Sequence, residues 1–540
     1  MKHLSSKRAS RFLLVLTIPL FTLHAQAAYS SHTRTGSAAG SYETGRYQNF
    51  FTSLLSKTPS DVEKKITSAF NQLFHGDTAT QAVYFPVGTD MAYIEDILHN
   101  DVRTEGMSYG MMIAVQLDKQ QEFNRLWKWA KMYMQYQSGI RRHFFAWHCA
   151  VDGTKLDQNA ASDGEEWFVT ALFFASARWG NGSGIFDYNA EAQAILRAMV
   201  HKEDTPGGTA PVTNMFNRQE RQVVFVPSVE AAGFTDPSYH LPHFYELWSR
   251  WASQDNGFWA SCAHVSREFW KKAAHPVTGL APEYAHFDGR PILPWGSDSK
   301  DFRYDAWRVA MNVAVDHEWF AGDAWEVEQS NRLLKFFHAQ GVGKYGSLYK
   351  LDGRVISTGR STGLVAMNAV ASLASTLPER TAFLDELWNT PIPSGPGRYY
   401  DGLLYMLSLL QTSGNFRIYD PVKTRRHDAE DRSVIDLHAY NIDGSRSSYI
   451  STRQGAFTLS AARHTAPIVT GSSEFPGVRR VLTHLQSDLF DVTGAKPLLL
   501  IDSLPRSRSI VIAGTIGRSE LIDSLIRSGK FCVDQVAGRW

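Results

Sequence analysis

GLVAMNAVASLAS at 363–375 and DGLLYMLSLLQTSG at 401–414 decide how this chain folds. Both are apolar nearly all round, with small residues set between large ones. A helix with one wet face carries a polar stripe at helical spacing; a helix without that stripe is buried on several sides. Other stretches do carry it. Ile66, Phe70 and Leu73 fall on one face of a run that opens with Ser60 as cap and Asp61 as first-turn acid and closes at Gly76. Phe123, Leu126, Trp127, Ala130 and Met134 repeat the rule. Outer amphipathic helices alternating with apolar inner ones, from about Tyr42 to about Tyr419, predict a mainly α fold: a double-layered toroid.

The rest of the chain fits around that body. It has 540 residues, 43% of them hydrophobic, enough for a large core, and fifteen tryptophans whose flat faces suit either a core or stacked sugar rings. A net charge of +1 with no basic stripe argues against nucleic acid or an anionic surface as partner. MKHLSSKRASR followed by FLLVLTIPLFTL and HAQAA reads as a signal peptide, cut after Ala27. The apolar run is too short for an ordinary membrane span and no second one follows, so the expected location is periplasmic or extracellular, free of the membrane after cleavage. Cys149, Cys262 and Cys532 allow at most one internal pair, and no Cys/His cluster has zinc spacing.

The text changes at TRRHDAEDR (424–432), a charged stretch without apolar periodicity that reads as a linker. Beyond it, KPLLLID (496–502) and SIVIAGT (509–515) are strand-like, and FPGVRRVLTHLQSDLFDVTG (475–494) and SELIDSLIRSGK (519–530) are helical, the latter closing at Gly529. Residues 433–540 therefore predict a small α/β domain. Gly514-Thr515-Ile516-Gly517 lacks the Gly-Lys-Ser/Thr ending of a phosphate loop and reads as a tight turn between strand and helix.

Three acids stand where a loop enters an apolar helix, each with aromatics within four residues: Glu105 in RTEGMSYGMM, Asp163 in ASDGEEWF and Asp305 in FRYDAWRVAMN. An acid at a helix start is ordinary by itself, because the macrodipole favours it. A cap, however, has no need of Gly106, Tyr109 and Gly110 behind it. In a toroid of helix pairs the inner helices start at one mouth, where distant carboxylates can meet. Paired carboxyls break glycosidic bonds: one protonates the leaving oxygen while the other activates water. The acid must keep its proton, which apolar burial and a neighbouring negative charge promote and a helix start opposes.

DVRTEGMSYGMM, SDGEEWFVTALFFASARWG, DPSYHLPHFYELW and RYDAWRVAMN, in this order, resemble glycoside hydrolase family 8 over about Gln48 to Arg417, and most of all its branch that releases xylose from the reducing end of xylo-oligosaccharides. The resemblance implies an (α/α)6 barrel over 42–423 and inverting hydrolysis of β-1,4-xylosidic bonds without metal or cofactor. It makes Glu105 the general acid and Asp305 the base. Asp163 grips the sugar at the cleavage point, Tyr239 holds the water and the base, and Trp147 of FFAWHC is a stacking platform. Arg308, one turn beyond Asp305, either orients it or forms a plain ion pair. An inverting site should hold the Glu105 and Asp305 carboxyls about 6.5–9.5 Å apart.

One stretch departs from that branch. Where its members resemble one another in a Leu-His-Pro kink that closes the cleft, STGRSTGLVAMN carries Gly359-Arg360-Ser361. An endo-acting β-1,4-xylanase or β-glucanase is therefore the alternative within the family, and a non-catalytic glycan-binding protein the alternative outside it. The tail has its own resemblance: QGAFTL, APIVTGSSEFPGVRRVLTHLQSDLFDVTGAKPLLL and IVIAGTIGRSELIDSLIRSGKF are similar to the start of a family 115 xylan α-glucuronidase. That start is an accessory domain, and ending at VAGRW implies a truncated copy without the second activity.

Overall fold

The computed structural model describes residues 39–421 except 206–209 and 297, and in the C-terminal part 438–440, 446–448, 459–461 and 464–528 except 506, 508 and 509. The expected signal peptide over 1–27, the expected linker over 424–432, Gly529 and Cys532 lie outside the described residues. The chain divides into two compact units, one within 1–426 and one within 427–540.

In the first unit the helices alternate between two rings. The inner ring is α2 (Thr104–Gln116), α4 (Ser162–Trp179), α6 (Pro242–Trp251), α8 (Tyr304–Phe320), α10 (Thr362–Ala371) and α12 (Arg398–Thr412). The outer ring is α1 (Pro59–His75), α3 (Gln120–Trp129), α5 (Tyr188–His201), α7 (Asn256–Ala273), α9 (Trp325–Gln340) and α11 (Arg380–Asn389). Each inner helix packs on the outer helix that follows it, and α12, the last, packs on α1, the first, so the barrel closes. Around the inner ring α4 touches α2, α2 touches α12, α12 touches α10, α10 touches α8 and α8 touches α6. The hydroxyl of Tyr245 donating to Glu166 at 2.5 Å and the indole N–H of Trp248 donating to Thr170 at 3.0 Å join α6 to α4. This is the expected (α/α)6 barrel.

The two opening stretches behave as their composition dictates. Gly363 to Ala371 are buried without exception, and so are Gly402 to Thr412. Gly402 lets α12 close on α1: a Cβ there would come within 2.8 Å of Leu73 Cδ2. On α1, Val62, Ile66, Ala69, Phe70, Leu73 and Phe74 form the buried stripe. Its cap is Thr58, not Ser60: Thr58 accepts from the Asp61 N–H and Pro59 takes the first helical position, where a missing N–H costs nothing. The heavy aromatic content is mostly structural. Trp127, Trp129, Trp248, Trp259, Trp270 and Trp319 are fully buried. Cys149 and Cys262 are buried free thiols.

The second unit contains a parallel sheet in which β1 (Ile468–Thr470) lies between β2 (Leu499–Ile501) and β3 (Val511–Ile512). Helix α13 (Pro476–Thr493) connects β1 to β2 and ends at the left-handed Gly494; α14 (Glu520–Arg527) follows β3 and is capped by Ser519. Residues 516–518 between β3 and α14 form a turn, with Gly517 at a φ of 83° that only glycine adopts freely. The central strand, the fully buried IVT of 468–470, was too short to stand out as a run. Among the described residues no helix is long and apolar enough to cross a membrane.

Candidate active site

Glu105, Asp163 and Asp305 occupy the same place in three different helices: each is the second residue, of α2, α4 and α8 respectively. Inner helices start at one end of the barrel, so equal helical position brings equal height. All three side chains line one cavity of about 460 Å³, together with Trp147, Tyr239 and Arg308. The structure thus brings all six residues singled out in the sequence into a single hollow.

Local packing explains the residues around the acids. The antiparallel pairing of 101–103 with 148–150 puts Arg103 opposite His148, and the Thr104 N–H donates to the Trp147 carbonyl at 3.0 Å. Trp147 is thereby fixed beside the start of α2. Gly164 sits directly against the Thr104 side chain, which leaves no room for a Cβ and lets α2 and α4 begin in contact. Gly106 clears space of another kind. A Cβ there would fall 2.5 Å from Cε2 of Tyr399, whose hydroxyl donates to Glu105 Oε1 at 3.0 Å. The glycine behind the acid is there to admit a tyrosine to it.

Arg308 holds the cluster together. Its side chain is 2% exposed, and its Nη1 donates to Glu105 Oε2 at 2.7 Å, to Asp163 Oδ2 at 3.1 Å and to the Tyr109 hydroxyl at 3.0 Å. Its Nη2 reaches Asp305 Oδ1 at 3.1 Å and Ser238 Oγ at 3.0 Å. The plain ion-pair alternative is too narrow: one guanidinium serves three carboxylates. Because that single planar fork bridges Glu105 to Asp305, their nearest oxygens lie no more than roughly 8 Å apart, which admits the inverting spacing.

Helix α6 starts deeper than its neighbours. His243, its second residue, packs against Trp319 in the last turn of α8, with ring centroids 5.5 Å apart. The loop before it fills the gap at the mouth and supplies Ser238 and Tyr239. Tyr239 is 5% exposed, stacks on Phe225 at 5.7 Å, and carries the Arg308 guanidinium over its ring at 5.7 Å.

Electrostatics separate the acids from ordinary caps. Burial, reinforced by the charges of Asp163 and Asp305, pushes the Glu105 carboxyl up to about 7 against the pull of Arg308 and the Tyr399 hydroxyl. Burial also pushes Asp163 up to about 6, with Asp305 adding to it and Arg308 and the Gly164 N–H opposing. Desolvation therefore outweighs the pull of Arg308 at Glu105, and the carboxyl keeps a proton near neutral pH. With 17% of its side chain exposed, Glu105 can still meet a ligand. Asp305, at 28%, is the most open of the three.

Several residues of the site were not singled out in the sequence: Phe225, Tyr284, Trp295 and Glu230 line the cavity, Ser238 accepts from Arg308, and Tyr399 donates to Glu105. Trp295 had a visible signal in its Pro-Trp-Gly turn. It stands 69% exposed at a φ of 59°, a left-handed conformation costly for a side chain of this size, and its ring lies 6.1 Å from that of Phe225. Phe225 and Tyr284 lie in loops whose approach only the fold decides. Among the described residues no group of three or more His, Cys, Asp or Glu is arranged to hold a metal ion.

Comparison with known proteins agrees with this geometry. The model of the family described as glycosyl hydrolases family 8 matches residues 93–414. The reducing-end xylose-releasing exo-oligoxylanase Rex8A of Paenibacillus barcinonensis is 45% identical over 384 residues, covering 70% of this chain and 98% of its own length. A reducing end xylose-releasing exo-oligoxylanase of Halalkalibacterium halodurans is 43% identical, over 71% of this chain and 97% of its own. Among solved structures, a catalytic mutant of a family 8 xylanase from Teredinibacter turnerae, in complex with xylohexaose, superposes with a TM-score of 0.69 at 46% identity, covering 71% of this chain and all of that one. A matching family model across more than half the chain, set over three carboxylates gathered in one aromatic hollow, makes this chain an enzyme of glycoside hydrolase family 8.

Proposed function

We propose that the enzyme hydrolyses β-1,4-xylosidic bonds of xylo-oligosaccharides with inversion, releasing xylose from the reducing end. One observation carries the chemistry: second-position carboxylates from three inner helices share a single buried guanidinium beside Trp147, Tyr239, Tyr284 and Trp295. In this reading Glu105, whose burial keeps it protonated, is the general acid. Asp305, the more open carboxylate, takes the proton of the attacking water, with Tyr239 beside it. Asp163 accepts hydroxyls of the sugar at the cleavage point, and Trp147 and Trp295 offer faces for sugar rings. The names of the relatives support the choice of xylose.

A product profile on linear xylo-oligosaccharides tests the substrate and the direction. Loss of one xylose per step from the reducing end is expected, and mixed shorter oligomers would overturn it. Glu105→Gln and Asp305→Asn should each lower kcat by about 10³-fold or more while the protein stays folded. Unchanged turnover in either would remove its assigned role, and a wild type that binds but never cleaves would favour the glycan-binding alternative.

One observation favours endo action as a second reading. Arg360 is drawn to Glu386 and lies 5.2 Å over the ring of Tyr345, and it is not among the residues lining the cavity. The segment that stands in place of the Leu-His-Pro kink thus supports a cleft open past the cut bond. We further infer export, from the signal peptide, and an accessory role for 433–540, from its likeness to the start of family 115. N-terminal sequencing of the exported protein tests the first, and deletion of 427–540 with hydrolysis retained tests the second.

A further inference from the structure

The two oxygens of Glu105 have unlike partners. Oε2 accepts from Arg308 Nη1 at 2.7 Å, and Oε1 accepts from the Tyr399 hydroxyl at 3.0 Å. A guanidinium can only donate and never loses its charge, whereas a phenol hydroxyl can donate or accept by rotating. A proton on Oε2 would face a cation. A proton on Oε1 meets a neutral group able to tolerate it.

Resting on the assignment of Glu105 as general acid, we propose that Tyr399 is a positioning residue that fixes Oε1 as the proton-bearing oxygen and stabilises the carboxylate left after proton transfer. The placement is built in. Tyr399 is the second residue of α12, 3% exposed, its ring seated in the space that Gly106 leaves open. The charged and titratable groups around the pair are Arg308 and Asp305 from α8, Asp163 from α4, Tyr109 from α2, Tyr400 from α12, and Arg103 and Asp96 on the Tyr399 side. None of these except Arg308 and Tyr399 donates a hydrogen bond to Glu105 among the described residues.

The step balances as follows. The proton on Oε1 moves to the glycosidic oxygen as the C1–O bond breaks and its electron pair stays on that oxygen. Water forms the new bond to C1 from the opposite face and gives a proton to Asp305. Glu105 is left ionised, with Tyr399 donating to the oxygen that has just lost its proton.

Tyr399→Phe keeps the ring and removes the donor. With the carboxylate less stabilised, the alkaline limb of kcat/KM on xylotriose should move up by about half a pH unit to one unit, and kcat should fall roughly tenfold. A xylobiosyl β-fluoride, whose leaving group departs as fluoride and needs no acid, should lose less than about threefold. Gly106→Ala, which displaces the ring, should reproduce the split between the two substrates. An unmoved limb, or equal loss on both substrates, overturns the proposal. Glu105→Ala separates the two levels. If it retains fluoride hydrolysis while losing xylotriose, the acid assignment stands whatever Tyr399→Phe shows; if it loses both, the assignment falls and the proposal falls with it.

Discussion

Two buried arginines, Arg308 on α8 and Arg267 on α7, each collect several carboxylates, and the molecule uses them for opposite ends. Arg267 is saturated: its Nε and Nη2 fork onto Asp316 at 2.7 and 2.8 Å and its Nη1 donates to Glu246 at 2.9 Å. Burial alone would raise the Asp316 carboxyl, but the bidentate pair holds it below the ordinary value. Arg308 is stretched: a single Nη1 divides itself between Glu105 and Asp163 while Nη2 reaches Asp305. There burial wins and the Glu105 and Asp163 carboxyls rise. Asp316 lies on the same helix as Arg308, so one helix carries a neutralised pair at one level and a charge-poor cluster at its mouth. The lesson concerns stoichiometry. A carboxylate gripped by two N–H groups of one guanidinium is a fastener; one that shares a single guanidinium nitrogen with a neighbour, at the edge of a cavity, is left to hold a proton near neutral pH.

Replacing each arginine by methionine should break the symmetry most visibly in turnover. Arg308→Met should lower kcat by about 10³-fold, because Glu105, Asp163 and Asp305 lose their common anchor, while Arg267→Met should leave the kcat of folded molecules within about threefold. Equal losses in both would show that the two clusters do the same work. In urea unfolding the order should reverse. Arg267→Met strands the buried Asp316 without its cation and should cost about 3–5 kcal/mol. Arg308→Met should cost less, since its carboxylates open onto a cavity and can take up protons.

A third measurement sharpens the contrast through pH. The folded Glu105 carboxyl sits near 7, above its ordinary 4.5, so its contribution to stability is full below about 4.5 and is lost as pH rises through 7. Glu105→Gln removes that loss. The variant should melt a few degrees above wild type at pH 8 and gain little at pH 4; a gain that grows toward acid would contradict the sign. The smallest effect is expected at the rim. Trp295→Ala should raise KM severalfold and leave kcat nearly unchanged, as steady-state kinetics on xylotriose would show.

The barrel was legible because its inner helices have no polar face to hide: 363–375 and 401–414 could be nothing but interior. The acids were legible because apolar text crowds behind them. Arg308 was visible only as a neighbour of Asp305, since helical spacing relates it to its own helix and not to residues 203 and 145 positions away. Tyr399 was hidden for the same reason, although Gly106 recorded its presence as an unexplained gap. Ser60 was mistaken for a cap because Thr58 is separated from the apolar stripe by a proline, which marks the first turn itself. Phe225 and Tyr284 sit in long connections without periodicity, where only tertiary structure decides what faces the cavity.

Glu105, Asp163, Asp305 and Tyr399 all stand second in their helices, and that shared register has an evolutionary corollary. Helix phase is the ruler that aims them, so inserting one residue inside the first turn would swing a side chain by about 100° and disarm the site. Insertions in the connections ahead of those turns leave the aim intact. Substrate preference can therefore drift through the loops at the mouth while the bond-breaking apparatus is inherited unchanged.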